Sequence, residues 1–319
     1  MEGMCLDRIV CVAGPTASGK TDLAVWLARE LNGEVVSCDS MQVYRAMNIG
    51  TAKPSAEERK GIIHHMMDVV DPDESMSVGR FTDMAAPIVE DILQRGRTAI
   101  LAGGTGLYMD ALIRGNDFAP IPATGCRERL QQRLEAEGAQ ALLEELASVD
   151  PETAKRLHAA DTKRIIRALE VYLETGKTIS AHNAETKKIP DRYQPCWLGL
   201  DYVNREDLYR RIDLRVDWML EAGLLEEIRG LLAVGFPAGA TALQAIGYKE
   251  FLPVLAGGRP VEEAAAEVKQ ASRRYAKRQL TWFRRNPAIR WIHRTPEMDF
   301  SQVCEAARAR IPFFDEGKC

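Results

Sequence analysis

The stretch Gly14-Pro15-Thr16-Ala17-Ser18-Gly19-Lys20-Thr21 constrains this chain more than any other, because it spaces two glycines, a lysine and a hydroxyl as a phosphate-binding loop does. Its flanks agree. Arg8 to Ala13 (RIVCVA) reads as a buried strand, and Thr21 to Leu31 reads as a helix, with Leu23, Leu27 and Leu31 at helical spacing and Asn32-Gly33 as its stop. A strand, tight loop and helix in that order aim backbone amides and a helix N-terminus at one anion, here a pyrophosphate. Lys20 is expected to reach the outer phosphate as a point charge. The Thr21 hydroxyl is expected to ligate a magnesium ion that bridges the phosphate oxygens.

Two further βα units follow. Glu34 to Ser37 reads as a strand that delivers Cys38-Asp39-Ser40-Met41-Gln42 at its C-terminal end, where open α/β sheets bind ligands. Asp39 is thus placed to act as a general base or a magnesium partner, or else to form a turn capped by Ser40. Gly79 to Arg95 reads as an amphipathic helix, and Thr98 to Ala102 as a strand ending in Gly103-Gly104-Thr105-Gly106-Leu107-Tyr108. Nucleotide hydrolases use a strand-end aspartate to organise magnesium and water, and none follows this strand. Thr105 is either a substrate contact or the cap of a helix beginning near Leu107. His64 and His65 are adjacent and make a poor chelating pair, so a structural role is expected. Asp68 to Glu74, interrupted by Pro72, reads as a surface connection.

After Gly115 the texture changes. Residues 119–122 and Thr124-Gly125 read as a linker, Arg127 to Ala147 as charged, alanine-rich and helical, and further helices fall around Pro151 to His158 and Asp161 to Glu174. An inserted helical lobe at 119–195 follows from this, with the core formed by 1–118 and 196–319. Cys196 to Leu200 reads as a strand re-entering the core, and helices dominate from Arg205 onward. At 319 residues and 46% hydrophobic content, the chain can bury a core of that size.

The net charge of -4 excludes a uniformly basic coat but not a local basic stripe. Lys269 to Arg285 carries seven basic residues and no acid, interleaved with Tyr275, Trp282 and Phe283. Basic groups grip phosphates and exposed aromatics stack bases, which is the chemistry of single-stranded RNA recognition. Lys163-Arg164-Ile165-Ile166-Arg167 forms a second basic run. The seven cysteines contain no C-x-x-C pair, so neither a zinc cage nor a disulfide framework is expected. No segment reads as a signal peptide or a membrane span, and a cytoplasmic protein is expected.

Taken in order, GPTASGKT, DSMQVYR at 39–45, GTAKP at 50–54, HHMMDVVDP at 64–72, GGTGLY at 103–108, DTKRIIRALEVY at 161–172, TGKTIS at 175–180, IGYKE at 246–250 and YAKRQLTWFRR at 275–285 resemble the motifs of bacterial-type tRNA dimethylallyltransferases, also called tRNA isopentenyltransferases. The resemblance runs almost end to end. It implies an α/β, P-loop NTPase-like parallel sheet flanked by helices, with a helical insertion and a helical C-terminal region. It also implies transfer of a prenyl group from dimethylallyl diphosphate to N6 of adenosine 37 in the tRNA anticodon stem-loop, with Mg2+ as cofactor; a monomer is expected besides. Residues 14–21 would hold the diphosphate, and Asp39, Thr105 and Arg215 would serve the reaction. The tRNA would meet Asp39, Ser40, Met41, Gln42, Thr105, Arg127, the run 163–167, the segment Gln244, Ala245, Ile246, Gly247, Tyr248 and Lys249, and the segment Ser272, Arg273, Arg274, Tyr275, Ala276, Lys277, Arg278 and Gln279. Arg127 follows Gly125-Cys126, where the family more often shows proline or acidic residues, so Arg129 and Arg133 remain open in its place.

Overall fold

The computed structural model describes residues 7–115, 124–186, 188–237 and 239–315. Residues 119–122 of the expected linker lie outside the described residues. Six parallel strands form one sheet in the order β3-β2-β4-β1-β5-β6, where β1 is Ile9–Ala13, β2 Gly33–Ser37, β3 His64–His65, β4 Thr98–Ala102, β5 Cys196–Tyr202 and β6 Arg290–Arg294. A strand inside a parallel sheet is covered on both faces, which is why β1 (IVCVA) is apolar throughout and wholly buried. Its side chains alternate between two cores. Ile9, Cys11 and Ala13 enter one, with Phe81, Leu101 and Tyr108, while Val10 and Val12 enter the other, with Leu23, Leu27 and Phe314.

The strand order reverses about β1, which lies between β4 and β5. Ligands of open sheets gather at the C-terminal ends beside such a reversal. Three strand ends meet there through the backbone: the Cys38 amide donates to Ala102 O at 2.8 Å, Gly103 to Val12 O at 3.3 Å and Thr105 to Cys38 O at 3.2 Å.

Contacts divide the chain into two compact units, Met1–Gly115 with Arg192–Cys319, and Asn116–Asp191. The limits fall a few residues earlier than 119–195. The second unit has its own apolar cluster, centred on Leu130, Leu142, Leu146, Ile165 and Leu169. The helical stretch expected over 127–147 is built as two helices, Cys126–Glu137 and Ala139–Val149. Gly138 breaks it, with φ 85° and ψ 163° at the junction.

Two other expectations change. β6 lies within the region read as helical to the C-terminus, and it pairs with β5 from Leu198↔Arg290 to Tyr202↔Arg294. Residues 68–74 are not merely a surface connection, since Val70 is fully buried and its amide donates to Val43 O at 3.1 Å. The histidines have the structural partners expected of them. His65 Nε2 meets Glu34 Oε2 at 2.7 Å and His64 Nδ1 meets Ile62 O at 3.0 Å.

Candidate functional site

The loop between β1 and the helix Lys20–Glu30 turns on Gly19, which has φ 91°. A side chain is strained at that φ, and a Cβ there would fall 2.4 Å from a guanidinium nitrogen of Arg294, which would have to move. Lys20 folds its ammonium back to Pro15 O at 2.6 Å. In front of the loop lies a cavity of about 350 Å3 whose lining includes Thr16, Lys20, Thr21, Asp39, Arg215 and Arg278. Asp39 is the single carboxylate among its described lining residues, facing three cations.

That imbalance acts on the side chains themselves. Burial, and then the neighbouring Arg215 guanidinium, pull the Lys20 ammonium down to about 7, with Asp39 acting against them. Burial also holds Arg215 below the ordinary arginine range, again opposed by Asp39. Cations whose charge is disfavoured by desolvation and by one another gain by admitting an anion. Asp39 Oδ1 accepts from the Met41 amide at 2.9 Å, so the turn is real, but Oδ2 has no protein hydrogen bond among the described residues. Thr105 does not cap its helix. Its Oγ1 accepts from the Ser40 amide at 3.0 Å and sits 3.3 Å from Ser40 Oγ, tying the ends of β2 and β4 together. Burial, with Asp39 second, pushes the Tyr275 phenol up to about 12, with Thr105, Arg278 and Gln279 acting against them.

A family model described as IPP transferase matches residues 42–286. The chain belongs to the IPP transferase family. A tRNA dimethylallyltransferase 1 of Trichlorobacter lovleyi is 49% identical over 89% of this chain and 93% of its own. Among solved structures, the full-length tRNA isopentenylpyrophosphate transferase of Bacillus halodurans is 42% identical with a TM-score of 0.71, covering 95% of each chain. A eukaryotic dimethylallyltransferase described as acting on tRNA is 33% identical with a TM-score of 0.77, covering 95% of this chain and 77% of its own.

Within this IPP transferase family member, the structure sorts the residues assigned to RNA by the resemblance. The helix Val261–Phe283 sends Ser272, Tyr275, Arg278 and Gln279 into the cavity, one face at helical spacing. Ala276 is fully buried, and Arg273, though partly exposed, is paired with Asp213 at 2.9 and 2.5 Å. Lys269 and Arg284 are likewise paired, with Asp217 and Asp201, while Arg274 and Lys277 stay exposed. Of the aromatics, Phe283 is buried in the core, whereas Trp282 keeps part of its ring exposed while its indole N–H donates to Asp110 at 2.9 Å. Gln244, Ala245, Ile246 and Gly247 line the cavity. Lys249 is exposed, but Tyr248 is fully buried, its hydroxyl on Glu227 at 2.7 Å. Ser40, Met41 and Gln42 line the cavity, and Gln42 Oε1 accepts from Ser37 Oγ at 2.9 Å.

In the second unit Lys163, Arg164 and Arg167 are exposed, whereas the Ile165 and Ile166 side chains are buried in its apolar cluster. Arg127 forks onto Glu170 at 3.0 and 2.7 Å, and Arg167 meets the same carboxylate. Sequence reasoning missed His64, Gly50, Thr51 and Ala52 as lining residues, along with Ile212, Val216, Met219 and Val268, which make part of the wall apolar. The GTAKP block held the signal for 50–52. No sequence signal marks the apolar wall, because its residues look like ordinary core.

Proposed function

We propose that this chain transfers a dimethylallyl group from dimethylallyl diphosphate to N6 of adenosine 37 in tRNA, releasing diphosphate. Family membership carries the coarser activity, transfer of a dimethylallyl group to tRNA. The observation that supports the finer reading is the cavity, in which one carboxylate faces Lys20, Arg215 and Arg278 beside a phosphate loop and an apolar wall. The loop amides and cations receive the charged leaving group. The apolar side chains suit a five-carbon tail.

In the reaction the N6 lone pair forms a bond to C1 of the dimethylallyl group as the C1–O bond breaks, its electrons passing to the diphosphate. An exocyclic adenine amine does not ionise in water, so its proton must leave as the new bond forms. Asp39 Oδ2 takes it, while the Met41 amide keeps the carboxylate oriented through Oδ1. Lys20 and Arg215 stabilise the charge that builds on the leaving oxygen. The target base lies in a loop, and splaying it out costs only about a few kcal/mol.

A magnesium ion fits the same place. The Thr21 hydroxyl lines the cavity with no protein partner among the described residues, and magnesium favours few protein oxygens plus phosphate. Bound with the diphosphate, it would neutralise the leaving group.

The test is incubation with unmodified tRNA and labelled dimethylallyl diphosphate in magnesium without nucleotide. Label in RNA at adenosine 37 is expected; label that appears only when ATP is added would refute the reading.

A further inference from the structure

The phosphate loop contains a residue that L-amino acids adopt reluctantly: Ala17 has φ 63°. The peptides around it are gripped from outside by three side chains, each from a different element. The Thr16 amide donates to Gln279 Oε1 at 2.9 Å, Ala17 O accepts from Arg211 Nε at 3.2 Å, and Ser18 O accepts from Arg294 Nη1 at 2.9 Å. Arg211 comes from the helix Arg205–Glu221, Gln279 from Val261–Phe283, and Arg294 from β6. Two guanidinium groups therefore hold loop carbonyls, the partial charges that would repel an anion.

Gln279 does more than touch the loop. Its Nε2 donates to Gly104 O at 2.9 Å, so one buried amide spans the ends of β1 and β4. A Cβ at Gly104 would lie 2.1 Å from Gln279 Nε2, so a larger residue there would displace this amide. Gln279 borders the cavity, but both ends of its amide are engaged in protein hydrogen bonds. Arg294 keeps its place with Nε buried and unpartnered, held by Ser18 O and by Tyr202, whose ring centre lies 5.6 Å from the guanidinium.

We propose that Gln279 is a positioning residue for the diphosphate site, not an RNA contact, and that Arg211 and Arg294 complete a brace holding Thr16, Ala17 and Ser18 ready for the anion. This rests on the reading of residues 14–21 as the diphosphate site. It makes the basic helix a two-sided element: Arg274 and Lys277 face solvent while Gln279, on the other side, sets the donor loop.

The experiment measures inorganic pyrophosphate binding by calorimetry in magnesium, and tRNA binding by filter titration, on the full chain. Gln279→Met keeps length and removes both hydrogen bonds. It is expected to weaken pyrophosphate at least tenfold and leave tRNA affinity within twofold. Arg294→Met, which leaves the basic helix untouched, is expected to act in the same direction. If Gln279→Met does not fold, Gln279→Glu, which keeps an acceptor for Thr16 but loses the donor to Gly104, carries the same comparison. Loss of tRNA affinity with pyrophosphate unchanged overturns the proposal in favour of an RNA contact, and unchanged values for both overturn it in favour of packing alone. A wild-type chain that does not bind pyrophosphate overturns the diphosphate reading of the loop and the brace with it.

Discussion

Asp39 and Lys20 hold opposite charges in one cavity, and the chemistry proposed for them separates in different experiments. Asp39→Asn preserves shape and the Oδ1 turn while removing the base. It is expected to leave affinity for tRNA and for dimethylallyl diphosphate within a small factor but to slow single-turnover transfer by at least about 100-fold, the low end for a positioned base. Transfer within a few-fold of wild type would place the base elsewhere. Lys20 gives a pH test. Its ammonium lies near 7 before an anion arrives, and a bound anion raises it, so binding takes up a proton in the window from about 7 upward. The lysine is charged below that window and contributes fully there; above it, each pH unit must recharge the amine at a cost of about 1.4 kcal/mol. The advantage of wild type over Lys20→Met in pyrophosphate affinity is therefore expected to shrink as pH rises through 7, a difference that cancels the titration of pyrophosphate itself. At this scale the sequence was readable wherever a motif couples residue type to spacing, as at 14–21. It was least readable for Gln279, whose basic neighbours suggest RNA while helical geometry turns its amide inward.

Among the elements, the helix Val261–Phe283 shows why a charge run does not translate directly into a binding face. Helical spacing distributes its cations around the axis, and Asp213 and Asp217 on the packed helix Arg205–Glu221 neutralise Arg273 and Lys269. Arg274 and Lys277 are left exposed, so Arg274→Gln with Lys277→Gln is the informative pair. Each lost phosphate contact is expected to flatten the log-log salt dependence of tRNA binding by about 0.7 to 0.9, whereas Arg273→Gln alone, already paired, should change the slope by less. An unchanged slope in the double variant would show that this face does not meet tRNA. The missed strand β6 has a related cause. RWIHR fully buries only Ile292, and an edge strand with charged outer positions offers neither the apolar run nor the clean alternation that marks strands in sequence. The break at Gly138 between two helices fits the poor standing of glycine in helix interiors.

For the whole molecule, the proposed donor-binding groups and the brace belong to one of the two compact units: residues 14–21, Asp39, Arg211, Arg215, Gln279 and Arg294 all fall in Met1–Gly115 and Arg192–Cys319. The order of the chain hides this, because the loop and its last brace are nearly three hundred residues apart and only the parallel register of β1, β5 and β6 brings them together. A ligand that binds only the folded state stabilises it by about 2.7 kcal/mol at one hundred times its dissociation constant. For a unit of this size, about 2–4 °C of midpoint shift accompanies each kcal/mol. Magnesium pyrophosphate at that saturation is thus expected to raise the calorimetric midpoint of the wild type by roughly 5–10 °C, and to raise that of Lys20→Met far less at the same concentration. Hydrogen exchange then locates the gain. Added protection is expected in the loop at 14–21, in Val261–Phe283 and in β6, the elements joined by Gln279 and Arg294. Peptides around Leu142, Leu146 and Ile165 serve as the internal reference, because those side chains are buried within their own cluster. Protection confined to residues 14–21, with β6 and the long helix unchanged, would mean that the anion is held without its brace.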